Sequence, residues 1–261
     1  MLNYIFEQLK KVSKRRMAIV IAICLVGVCL LLNLAVMAFT LVYGSDRDGV
    51  LGSNVLAFAT WCFPIPYIAC IFISDLVFGL EYPNPLIKNK VTRNLKRWQI
   101  YIGKYIAQVI VAFIYMVFAF VCVLATTRLF HSDIKAYDVN LFIENMLISV
   151  PLWMAGISFG NMFLFGFRDK RKAYACHFLL TLVIRRTILS FAAEPFSIKL
   201  FQFIRTFLIS QSFSHIPYPA DPARNVPFIV VEGFVYVIIS CAVGVIYYSK
   251  KNFKAEKYEN S

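Results

Sequence analysis

The chain has only three histidines, no CxxC pair, and no group of Cys and His at metal-ligating spacing. His131, His177 and His215 are scattered, and none has a partner at the spacing of a catalytic triad or metal set. The sequence also lacks a GxxxxGK[ST] phosphate loop, the backbone cradle that would hold a nucleotide triphosphate. Acidic residues are scarce, with 14 Asp and Glu against 27 Lys and Arg, a formal net charge of +13. The seven cysteines, Cys24, Cys29, Cys62, Cys70, Cys122, Cys176 and Cys241, all lie inside apolar runs. They read as small apolar packing residues rather than a disulfide framework. These absences argue against a metal centre, a disulfide scaffold and a cofactor held by this chain.

What the sequence does contain is long greasy runs. It is 60% hydrophobic, with a mean hydropathy of +0.69, 25 Phe and 14 Tyr, where a soluble domain is about 45–50% apolar. A transmembrane helix needs about 20 apolar residues. Runs of this kind predict an all-α polytopic membrane protein with six spans, at residues 17–43, 55–78, 101–124, 141–167, 173–193 and 226–249. Pro64 and Pro66 in "FPIP" should kink or unwind the second span. Gly156 and Gly160 form a small-xxx-small face for close helix approach in the fourth.

Residues 1–16 predict a separate interfacial helix. Leu2, Ile5, Phe6, Leu9 and Val12 recur at helical spacing, with Lys10, Lys11 and Lys14 around them. The next apolar run is too long for a cleavable signal and closes on no small-residue site. Residues 194–225 form a further irregular segment. An apolar stretch too short to span is followed by Pro217, Pro219, Pro222 and Pro227, which predicts a re-entrant segment before the sixth span.

The cations are not spread over one folded face, as a nucleic-acid surface would require. Nineteen of the 27 flank apolar runs, at residues 10–16, 88–104, 168–172 and 250–257. The remaining connections are balanced, Arg47, Arg128, Lys135, Lys199, Arg205 and Arg224 standing against Asp46, Asp48, Asp133, Asp138, Glu194 and Asp221. The positive-inside rule then puts both termini and the basic connections in the cytoplasm. Asp75, near the inner end of the second span, is expected to meet the basic rim. No nucleic-acid partner is expected; membrane lipid is.

The largest inner connection, residues 79–100, is longer than a linker needs to be. Pro83 and Pro85 break it, and "NPLIKNKVTRNLKRWQ" predicts a short basic helix on the cytoplasmic face. Glu81–Tyr82, Ile87–Lys88–Asn89–Lys90, Arg97, and Ile100–Tyr101 with Lys104 resemble the pattern found after the second span in ATP-binding-cassette type-2 permeases. Pro85–Leu86 stands where that pattern has Gly-Thr, and Lys96 where it has a small hydroxyl before Arg97. The six-span count, the surface helix before span one and the re-entrant segment before span six agree with the same family.

This resemblance implies a permease subunit of an ATP-driven exporter, in a bacterial cytoplasmic membrane, pairing as a homodimer or with a related permease. Each copy would dock a separate ATPase subunit, which would bind ATP and magnesium, through a coupling helix. Glu81, Tyr82, Leu86, Ile87, Lys88, Asn89, Lys90, Arg93 and Arg97 would form that docking surface, cations against an acidic rim and apolar side chains in a cleft. The cargo implied is amphipathic peptides or other hydrophobic compounds. Two alternatives stay open: a polytopic membrane enzyme acting on lipids or peptides, and a peptide sensor or immunity protein that does not transport. The first would want clustered His, Asp, Glu or Ser near a membrane face, and no such cluster is evident.

Arg185 and Arg186 fall inside the fifth span, where a cation needs a partner or water. Glu232, a turn or so into the sixth span, is the candidate partner for an intramembrane charge pair; Glu144 opens the fourth at a similar depth. The alternative is a fifth span ending near Ile184, which would leave the arginines at the interface.

Overall fold

The computed structural model describes residues 1–43, 51–78, 95–131, 134–167, 169–184, 199, 208–218 and 225–250. They form helices α1 (Leu2–Ser13), α2 (Arg16–Tyr43), α3 (Leu51–Trp61), α4 (Pro64–Phe78), α5 (Arg97–Phe130), α6 (Ala136–Gly166), α7 (Lys170–Phe178), α8 (Ile209–His215) and α9 (Val226–Lys250). A π-helical stretch, Leu179–Ile184, continues α7. No strand occurs among the described residues, as expected where lipid cannot satisfy open backbone groups.

Four helical segments are long and apolar enough to cross a membrane: Arg16–Ala38, Arg97–Phe130, Ala136–Gly166 and Val226–Ser249. Gly52–Trp61 and Pro64–Phe78 together would make a fifth, bent by 57°. Six spans were expected. The helix begun at Lys170 covers the start of the missing one, and residues 185–193 lie outside the described residues. Of the segment expected to re-enter, the structure describes only Lys199, residues 208–218 and Asn225, including the seven-residue α8.

The bend sits where the prolines predict it. Pro64 and Pro66 occupy the first turn of α4, where a helix has N–H groups without intrahelical partners anyway. The indole Nε1 of Trp153 on α6 donates to the Phe63 carbonyl at the break, 3.0 Å away, and so ties the corner to α6.

Helix α6 is the axis of the bundle, with α4 against one side and α9 against another. A core of Leu56, Phe63, Phe142, Leu152, Ala155 and Phe213 fills the end of the bundle near the bend. The α4–α6 contact needs glycine. A Cβ on Gly156 would stand 2.8 Å from Tyr67 Cδ2, and one on Gly160 3.1 Å from Ile71 Cα. Small residues let membrane helices approach closely enough for dispersion to hold them, since lipid offers no hydrophobic drive.

Among its described side chains, helix α2 buries little beyond Cys29 and Asn33. The Asn33 amide donates to Thr126 Oγ1 of α5 at 3.0 Å. The outward faces of α2 and α5, among them Ile23, Leu31, Phe113, Ile114 and Val121, are exposed and apolar, as surfaces suited to lipid tails are.

A break at Lys14–Arg15 makes α1 a helix separate from α2. Its apolar residues do not share one fate. Ile5 and Val12 bury against Leu76, Val77, Ala107 and Val111, whereas Leu2 and Phe6 project outward, 70% and 68% exposed. The helix is apolar on two sides, one facing the bundle and the other free.

Candidate functional site

The basic insert leaves α4 after Phe78 and returns at Leu95. Glu81, Tyr82, Leu86, Ile87, Lys88, Asn89, Lys90 and Arg93 of the expected docking set lie outside the described residues. The structure does describe the end of the bundle from which the insert emerges, here called the basic end. The α1–α2 junction, the last turn of α4, the first turns of α5 and α7, and the last turn of α9 meet there.

Asp75, one turn before the end of α4, organises one side. Its Oδ1 accepts from Lys170 Nζ at 2.7 Å and its Oδ2 from Tyr174 Oη at 3.1 Å. Both partners come from α7, one turn apart. The start of α7 is fixed by Asp169, whose side chain accepts from the Arg171 N–H at 2.9 Å, an N-cap that satisfies one of the first amides. Arg15 approaches from a third direction. Its Nη1 donates to the Leu76 carbonyl at 2.5 Å and the Asp75 carbonyl at 3.3 Å. A cation here meets the last carbonyls of a helix, the partially negative end of its dipole. Burial lowers the Arg15 pKa from its ordinary value, and the Asp75 carboxylate opposes that shift. Asp75 thus meets the basic rim, as its sequence position suggested.

Two turns further along α7, fully buried His177 places Nε2 3.1 Å from the Ile68 carbonyl of α4. Between these contacts Phe72 packs on Tyr174 and Phe178, with ring centres 5.5 and 6.1 Å apart.

Arg97 belongs to a helix rather than to the loop assigned to it, because α5 begins four residues earlier than residue 101. Gln99 supports that start, its Oε1 accepting from the Lys96 N–H at 2.8 Å. Arg97 Nη1 donates to the Ser249 carbonyl in the last turn of α9, 3.0 Å away.

Lys104 counts with the basic insert in the sequence, yet it is 1% exposed. Its ammonium lies 4.2 Å from the Phe78 ring centre and 5.3 Å from that of Phe165, a cation–π arrangement stronger in a desolvated place than in water. Phe165 also packs on Phe78, Tyr101 and Tyr248 at 4.4, 4.7 and 4.6 Å. The Tyr101 hydroxyl lies where a side chain on Gly244 would stand, so α9 can approach α5 here only with glycine at that position. Aromatic side chains from four helices thus close the basic end around one cation.

Inside the bundle, Gln108 Nε2 of α5 donates to the Ser74 carbonyl of α4 at 3.1 Å and to Asn161 Oδ1 of α6 at 2.9 Å. The sequence signal for this link was plain, Gln108 and Asn161 being amides within apolar runs, but their pairing was not.

Towards the opposite end, Glu232 is 5% exposed on α9. Ser212 of α8 donates to its Oε2, and its Oε1 has no partner among the described residues. Arg185 and Arg186 lie outside the described residues. Glu144 is exposed. No group of three His, Cys, Asp or Glu that could hold a metal occurs among the described residues.

The basic end therefore offers an ion pair, carbonyl caps and an aromatic closure around the two roots of a cationic insert. The family described as "ABC-2 family transporter protein" matches the chain over residues 7–192, a stretch that includes the whole insert. No curated protein matches the chain.

Proposed function

We propose, from the premise that the chain belongs to the ABC-2 transporter family, that it is the permease subunit of an ATP-driven exporter and receives work through its basic insert. The family match across the insert carries this reading. The bracing at both roots of the insert supports it. At one root Arg15 and Lys170 hold the end of α4; at the other Arg97 holds the start of α5 to the end of α9.

In this reading the insert forms a coupling helix. Glu81, Tyr82, Lys88, Asn89, Lys90 and Arg93 meet the rim of a separate ATPase subunit, while Leu86 and Ile87 fill its cleft. Rim charges chiefly set association rate and orientation, whereas buried apolar anchors set the dissociation rate. The ATPase brings ATP and magnesium. Two permeases, identical or related, and two ATPases make the working unit. Both termini and the insert face the cytoplasm of a bacterial cell, with α1 at the membrane surface, Leu2 and Phe6 reaching lipid. The cargo is an amphipathic peptide or another hydrophobic compound taken from the bilayer. Six spans complete the bundle, with the fifth running on from the π-helical stretch. Glu232, whose Oε1 has no partner among the described residues, pairs with Arg185 or Arg186.

Copurification tests the reading. The tagged permease should retain an ATPase bearing a phosphate loop, and Leu86→Asp should release it while the permease still folds. A permease that captures no such ATPase and acts without one overturns the proposal.

A further inference from the structure

We propose that Asp75 is a positioning residue that keys α7 to α4, so that displacement of the insert is passed to the π-helical stretch beyond α7. This rests on the exporter reading. It assigns to that reading the route by which work leaves the insert, which runs sideways into α7 as well as along α4.

The geometry points to this route in three ways. Asp75 lies three residues before Phe78, the last described residue before the insert, so force applied at the insert meets this turn of α4 first. Its carboxylate is engaged by α7 twice, through Lys170 and Tyr174. Finally, Asp75–Lys170 and Ile68–His177 are contacts seven residues apart on both helices. Seven residues of helix rise about 10.5 Å, so α4 and α7 run antiparallel and are held in one register at two points two turns apart. Arg15 closes the third side by gripping the Asp75 and Leu76 carbonyls. A turn of α4 held this way moves with α7 rather than past it.

The far end of α7 gives the keying a purpose. Immediately after Phe178 the chain becomes π-helical for Leu179–Ile184, and Thr181 Oγ1 donates to the His177 carbonyl at 2.8 Å where it begins. π-helical stretches are rare and frequently lie at functional sites. Moving α7 along its axis would carry that stretch with it. The ion pair is itself partly exposed, its side chains retaining 33% and 23% of their surface. A pair so exposed contributes little to stability. Its effect is directional: it fixes which turn of α7 faces which turn of α4.

The test uses the full permease with its copurified ATPase in lipid nanodiscs, and reads amide hydrogen exchange before and after trapping with ATP, magnesium and vanadate. In the unmodified complex, trapping is expected to change exchange across residues 169–184. In Asp75→Asn, ATP hydrolysis should stay within about twofold, while the trapping-dependent change at 169–184 should shrink by about fivefold or more. Asp75→Glu should restore the change, which a purely structural role does not require. If Asp75→Asn does not assemble, Lys170→Gln, which spares the Tyr174 hydrogen bond, is read the same way. A full-sized change in either loss variant, or no change in the unmodified complex, overturns this inference and leaves the exporter reading standing. A permease that captures no ATPase overturns both.

Discussion

The guanidinium of Arg97 donates to the carbonyl of Ser249 at 3.0 Å, joining the first turn of α5 to the last turn of α9 across 152 residues of chain. The resemblance implied docking for this arginine. The structure adds that it closes the basic end. Arg97→Ala should cost roughly 1 kcal/mol, the scale of a hydrogen bond from a charged donor at an exposed site, or about 2–4 °C in thermal midpoint for a chain of this size. It should release less ATPase than Leu86→Asp. Fluorescence-detected thermal unfolding and copurification yield, measured on the same preparations, check both halves.

Glycine is required where α4 crosses α6. In Gly160→Ala the new methyl meets Ile71 Cα at 3.1 Å, and in Gly156→Ala it meets the Tyr67 carbonyl oxygen at 3.0 Å. At Gly156, where the methyl also stands 2.8 Å from Tyr67 Cδ2, the neighbours must shift, at a cost of about 1–3 kcal/mol; at Gly160 they must give by a few tenths of an ångström, and the loss should be the smaller of the two. Gly27→Ala is the control, since a methyl there meets nothing within 4 Å and, alanine being the better helix former, should not lower the thermal midpoint.

The Gln108–Asn161 hydrogen bond should show as coupling. Gln108→Leu removes the donor to Asn161 Oδ1, Asn161→Leu leaves Gln108 Nε2 only the Ser74 carbonyl, and the double substitution removes both amides. Membrane hydrogen bonds average about 0.6 kcal/mol and reach about 1.7. A double-mutant cycle on unfolding free energy should return a coupling within that interval, and the double variant should lose less than the two single losses together.

For Glu232 the expected outcome is charge exchange. Glu232→Arg buries a second kind of charge beside Ser212 and should lower the yield of folded protein severalfold, because an uncompensated buried charge typically costs about 3–5 kcal/mol. Adding Arg186→Glu, or Arg185→Glu, should recover most of it. Size-exclusion profiles of fluorescent fusions give the readout. If neither exchange rescues, Glu232 has some other partner.

The parts of this structure legible in the sequence are those set by local physics. Lipid demands about 20 apolar residues per crossing, so α2, α5, α6 and α9 could be counted directly. Pro64 and Pro66 announced the bend because proline cannot donate within a helix. Gly156 and Gly160 announced a close crossing. The features that stayed hidden depend on chain brought in from far away. Lys104 reads as a rim cation because charge usually seeks water, and only the packing of Phe78 against Phe165 makes its buried place habitable. Arg97 reads as loop because nothing in "LKRWQ" declares that Ser249 is near. For α1, the apolar spacing identified a helix separate from α2 but not its two-sidedness, since Leu2 and Ile5 look alike until α4 and α5 are in place.

The corner between α3 and α4 gives the bundle a pivot. A straight rod pushed at one end delivers the same push at the other. A rod bent by 57° and tied at its elbow by Trp153 splits such a push, part of it running along the second arm and part falling across it onto the tie.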